Sequence, residues 1–130
     1  MVKRRSEAGQ TMPLVALAMV TLLATAGLAV DMGYMRYQKR LMQTAADAAA
    51  LAAATDQNLG DASQYLNDAL AVAAQNGFQD GVNNTTVNVY NPAPGSISPG
   101  TAIQVVIQKQ YPAIFMQVVG IPNSTISAAG

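Results

Sequence analysis

The 130-residue chain carries seven basic and seven acidic residues, no histidine and no cysteine, and is 51% hydrophobic but only 5% aromatic. Without cysteine there is no disulfide framework or thiolate metal site, and without histidine the commonest general base and metal ligand is missing. No catalytic, metal or cofactor-binding residue is nominated, and an enzyme is not expected.

The neutral total conceals a division. Residues 1–40 hold Lys3, Arg4, Arg5, Arg36, Lys39 and Arg40 against Glu7 and Asp31, a balance of +4. From residue 41 onward Lys109 stands against Asp47, Asp56, Asp61, Asp68 and Asp80, a balance of −4. Basic charge beside an apolar segment suits anionic lipid headgroups, whereas an acidic, Asn/Gln-rich remainder does not suit DNA or RNA. The expected partners are therefore membrane lipid and other proteins, with no nucleic acid. Alanine supplies much of the apolar count, and a core of alanine buries little area per residue, which also argues for packing against partners.

In chain order, residues 1–10 form a short basic tail. "TMPLVALAMVTLLATAGLAV", residues 11–30, has no charge, and as a helix it would be about 30 Å long, the thickness of a bilayer hydrocarbon core. Pro13 falls in its first turn, where a missing N–H does least harm. Lys3-Arg4-Arg5 ahead of it predict a cytoplasmic N-terminus, a single pass and a C-terminal region outside the cytoplasm. A rival reading is a signal peptide with Ala24-Thr25-Ala26 as its cleavage site. The apolar run continues through Gly27-Leu28-Ala29-Val30 to full spanning length, which favours the anchor. Thr21, Thr25, Ala29 and Gly33 recur every four residues and form a candidate helix-packing stripe.

The helix is expected to continue through residues 31–57 as an amphipathic stem. At 100° per residue Tyr34, Tyr37, Leu41, Ala45, Ala48 and Ala52 fall on one face, opposite Arg36, Lys39, Arg40, Gln43 and Asp47. Alanine is the best helix former and the narrowest, so Leu41, Ala45, Ala48 and Ala52 are candidate packing positions, against the chain's own domain or neighbouring stems. Asp47 is either a solvated position or one half of an ion pair with Arg36, Lys39 or Arg40 of an adjacent subunit, the latter implying a homo-oligomer. Asp31 reads as an interfacial residue.

Residues 58–130 predict a small head. Asp61 is a plausible N-cap, Ala62, Tyr65, Leu66, Ala69, Leu70 and Ala73 have helical spacing, and Gly77 closes that helix. "FQDGVNN" is turn chemistry, and Asp80 belongs to it. "TTVNVY" (85–90) and "TAIQVVIQKQ" (101–110) alternate as strands, with "PAPGSISPG" between them and Pro112 ending the second. "AIFMQVVGIP" predicts a short helix or turn, and "STISAA" a last strand. The fold class is α+β: a long N-terminal transmembrane and stem helix, then a second helix and a small antiparallel β-sheet.

Taken together, residues 6–54 resemble the N-terminal segment of the TadE/TadG-like family of Flp (Tad) pilus-assembly proteins, and its TadG-like branch in particular. The features that carry the resemblance are Gly9-Gln10, a span ending in Gly27-Leu28-Ala29-Val30-Asp31, the Gly33-Tyr34 pair, and Lys39-Arg40 leading into Gln43 and Ala45-Ala46-Asp47-Ala48-Ala49-Ala50-Leu51. The looser pattern Tyr111-Pro112, Phe115 and Gly120-Ile121 before a terminal strand is similar to the family's extracytoplasmic module. The resemblance implies a membrane-anchored, minor-pilin-like structural component of a bacterial Tad pilus system, in the inner membrane, working with other pilus components. Two alternatives stay open: a secreted or surface binding module cleaved near Ala26, and a processed filament subunit. Type IV pilins are cut after a glycine and carry glutamate five residues into the mature chain. Counted from Gly9, that position here is Leu14, which argues against the filament subunit.

Overall fold

The computed structural model describes residues 11–59, 63–96 and 102–130. The basic tail with Gly9-Gln10, the N-cap expected at Asp61 with Ala62, and residues 97–101 between the first two strands lie outside the described residues.

Helix α1 (Thr11–Leu59) is a single unbroken element of 49 residues, about 74 Å long at 1.5 Å per residue. Its interior contains no proline after the first turn, and its second half is dominated by alanine, so nothing in the sequence interrupts the hydrogen-bond ladder. Helix α2 (Tyr65–Gln75) starts later than expected, with Gln64 rather than Asp61 in the N-cap position, and ends at the cap residue Asn76, with Gly77 in the left-handed region at φ +89. The turn after Phe78 uses Gly81, Asn83 and Asn84, all at positive φ, which these two residue types tolerate best.

Strands β1 (Thr85–Tyr90), β2 (Gln104–Pro112) and β3 (Asn123–Ala129) form a three-stranded antiparallel sheet in the order β1-β2-β3. The whole is an α+β arrangement, as the sequence predicts. Strand β2 starts three residues later than expected and includes Pro112. Its first residue pairs with the last of β1 (Tyr90 with Gln104), and Pro112 occupies the terminal pair with Asn123, where a missing donor costs the ladder least. Between β2 and β3 lies a 3₁₀ turn, Met116–Val119, closed by Gly120 at φ +87.

One face of the sheet supplies Val87, Val105, Ile107, Tyr111, Ile126 and Ala128 to the core. They meet Met42, Ala45, Ala46, Ala49 and Ala53 of α1, Ala69 and Ala73 of α2, and Phe78. Alanine on both helices lets their backbones come close, and the bulk is supplied from the sheet. Ile107, Val105 and Met42 are fully buried, each worth about 1.5–3 kcal/mol relative to exposure. Apart from Gly27, the first 20 residues of α1 have no such cover. Leu14, Val15, Leu17, Val20, Leu22 and Leu23 are all exposed, and by length and composition this part of the helix could cross a membrane.

Candidate functional site

The apolar segment and the head meet at Asp31. Its carboxylate is 2% exposed and accepts three backbone hydrogen bonds from the loop after β2. Ile114 N–H donates to Oδ1 at 3.2 Å, and Phe115 and Met116 N–H donate to Oδ2 at 2.9 and 2.7 Å. These are amides at the entry to the 3₁₀ turn, which has no side-chain cap of its own. A carboxylate on another element does that work, using charge-assisted bonds. Burial by itself would raise the Asp31 pKa, but the three N–H donors outweigh it and hold the group below its ordinary value.

One helical turn toward the N-terminus, the loop touches α1 again. Gly27 is buried beneath Phe115: a Cβ built there would lie 2.8 Å from the ring's Cγ. One turn or two toward the C-terminus, Tyr34 meets Tyr111 edge to face at 5.9 Å between ring centres, and the Tyr111 hydroxyl donates to Gln38 Oε1 at 3.0 Å. Burial, and then the neighbouring Tyr34, push the Tyr111 hydroxyl pKa up. The Lys109 ammonium lies 5.4 Å from the Tyr111 ring centre and 5.7 Å from that of Phe78, a cation over two aromatic rings. The junction thus runs from Gly27 to Gln38 on one side of α1.

This arrangement fixes a loop and a sheet to a helix. Among the described residues no three His, Cys, Asp or Glu side chains gather where they could hold a metal. An open groove of about 440 Å³ along β1 and β2 is lined by Asn84, Thr85, Thr86, Gln108, Lys109 and Gln110, with Lys109 its single charge.

The family comparisons agree with the joined architecture. The family model for TadE/G-like Flp pilus-assembly proteins matches residues 9–56. That for Tad-like Flp pilus-assembly proteins matches residues 38–130, well over half of the chain. The chain belongs to the Tad-like Flp pilus-assembly family. No curated protein and no solved structure matches it. Membership ties this Tad-like chain to a Flp pilus and to the other components of that pilus. The two matches overlap on residues 38–56, the alanine stem that the apolar helix and the head share.

Within the Tad-like chain the nominated packing positions separate. Ala45 is buried in the head's own core, Ala48 and Ala52 are half-buried, and Leu41 is exposed. Thr21, Thr25, Ala29 and Gly33 are all exposed. The Thr21 and Thr25 hydroxyls bond back to the Leu17 and Leu22 carbonyls at 2.9 Å. Asp47 is exposed and accepts a bond from Gln43 Nε2 at 2.8 Å. The Gln43 amide also donates to the Ala129 carbonyl at 2.6 Å, so Asp47 is tied indirectly to the end of β3. Asp80 Oδ1 accepts the Val87 N–H at 2.8 Å and so covers an amide on the open edge of β1.

The buried face of α1 runs through Gly27, Asp31, Met42, Ala45, Ala46, Ala49 and Ala53, roughly 80° around the helix from the face through Tyr34, Leu41 and Ala52 at 100° per residue. Tyr34 and Tyr37 weight a hydropathy pattern toward their own side. Both rings are exposed, while the sheet rests on the smaller side chains beside them. The role of Asp31 has no local signature, because its three partners are backbone amides 83 to 85 residues away.

Proposed function

We propose that the chain is a single-pass, minor-pilin-like structural component of a Tad pilus system, anchored in the bacterial inner membrane by residues 11–30. Its N-terminus lies in the cytoplasm and its α+β head outside. It acts by packing, without catalysis: the apolar segment associates laterally along Thr21, Thr25, Ala29 and Gly33, and the stem and head engage other pilus components or further copies. Asp47 pairs with Arg36, Lys39 or Arg40 of a neighbouring stem in this reading.

The observation that carries this reading is the continuity of α1. A helix exposed along its apolar first part, Gly27 excepted, becomes without a break the central element of a folded head. A soluble protein's core helix would have that apolar part covered. The test is the intact mass of the protein recovered from a membrane fraction of its native host. A mass near 13.5 kDa is expected. Loss of residues 1–9 would instead make it a processed filament subunit, and a soluble product lacking residues 1–26 would make it a secreted domain.

A further inference from the structure

The loop from Ala113 to Pro122 contains no charged residue, and four of its large apolar side chains are exposed. Val118 is 86% exposed, Ile114 52%, Ile121 50% and Phe115 46%. Such a cluster on one ten-residue loop is costly in water and marks a contact surface.

Its position says which contact. Asp31 holds the loop's amides at the level of the first residue after the apolar segment. The Phe115 ring lies against Gly27, four residues and so about 6 Å further toward the N-terminus. The loop therefore lies beside the last turn of residues 11–30. Arg36, Lys39 and Arg40 are exposed on the other side of that level, about 7 to 14 Å along the helix from Asp31, where anionic headgroups would meet them.

The loop's backbone is unusually self-contained. Besides the three amides given to Asp31, Ala113 N–H bonds to the Pro122 carbonyl, Val118 to Phe115, Gly120 to Gln117 and Ile121 to Met116. The Gln117 side-chain amide donates to the Ile114 carbonyl at 3.0 Å. A loop facing water has no need of this. A loop entering an apolar medium does, because each unpaired amide there costs several kcal/mol.

We propose that the loop Ala113–Pro122 is a second membrane-contacting element, seated at the headgroup–acyl boundary of the bilayer that α1 crosses, with Asp31 as its positioning residue. The proposal rests on the anchor reading of residues 11–30. The head would then be held to the bilayer surface at two points, the helix and the loop, and so fixed in rotation about the helix axis.

The chain has no cysteine, so single cysteines introduced by Val118→Cys, Leu17→Cys and Leu51→Cys can each carry an environment-sensitive fluorophore. The full chain is reconstituted in vesicles of phosphatidylcholine and phosphatidylglycerol in equal amounts, with brominated lipid or aqueous iodide as quencher. The label at 17 is expected to lose most of its emission to brominated lipid, and that at 51 to iodide. The label at 118 is expected to follow 17, most strongly with bromines near the headgroup end of the acyl chain. If 118 follows 51 while 17 remains in lipid, the loop proposal falls and the anchor stands. If 17 itself is quenched by iodide, the anchor falls and takes the loop with it. Protection of 118 from both quenchers would mean that a second copy covers the loop, which also overturns the proposal. Adding Asp31→Ala should move 118 toward iodide quenching without moving 17; no movement would remove Asp31 from the positioning role.

Discussion

At the residue scale, Asp31 acts through geometry that its nearest isostere cannot reproduce. Both carboxylate oxygens accept, one from Ile114 and the other from Phe115 and Met116. Asp31→Asn replaces one acceptor with an NH₂ that faces donors. Hydrogen exchange should show the amides of 114–116 losing protection in that variant, while the Val105–Gly130 pairing at the far end of the sheet keeps its own. The pH dependence has a definite sign. With the folded pKa below the unfolded value, the contribution is fully present above the unfolded pKa of about 3.9 and is lost as pH falls through the folded value. Protection of the three amides should therefore be flat from neutral pH to about pH 5 and fall only below about pH 4. The two glycines of the junction region make a second test. Gly33 has open space where a Cβ would go, so Gly33→Ala should stabilise the isolated chain by about 0.5–1 kcal/mol through helix propensity. Gly27→Ala gains the same propensity but drives a methyl into the base of the Phe115 ring. Its melting temperature should fall below that of Gly33→Ala, with the loop displaced.

At the scale of elements, adjacent alanines of the stem should behave differently. Ala49 is fully buried among α2 and the sheet, and Ala49→Glu would bury an unpaired charge at a cost of about 3 kcal/mol or more. Chemical denaturation should show most of the stability lost. Ala48 is half-buried along an open groove that also includes Leu51, Ala52 and Thr55 of α1 and Ala71 and Val72 of α2. Ala48→Glu should change folding by about 0.5 kcal/mol or less and reduce the partners that co-purify with the chain. Unchanged partners would place the association face elsewhere. The elements themselves were legible because their signals are local: alternation in "TTVNVY", alanine in the stem, and the uncharged run before it. The packing face of the stem was not legible, since alanines on nearly every side of a helix give hydropathy little to choose from. What chose were α2 and the sheet, whose core residues, from Ala69 to Ala128, come later in the chain than the stem. The Asp31 junction was hidden for the same reason. A carboxylate after an apolar segment looks like an interfacial residue until the loop that uses it is in place.

At the scale of the molecule, the charge division acquires a spatial sense. The exposed basic residues Arg36, Lys39 and Arg40 gather just beyond the apolar segment, and Asp47, Asp56, Asp68 and Asp80 lie further along the stem and in the head. Lys109, the one cation after residue 40, is half-buried over two aromatic rings, so the outer surface of the head leans negative. Orientation relative to an anionic surface would follow from this alone, with the basic collar toward it and the head away. The unbroken α1 adds something mechanical. With no hinge between residues 11 and 59, the part beyond Asp31 is a lever arm of about 43 Å. A tilt of about 10° imposed on the apolar segment sweeps the far end through about 7 Å, more than one helical turn. Force applied to the head returns to the base as torque by the same route. A push at either end is felt at the other.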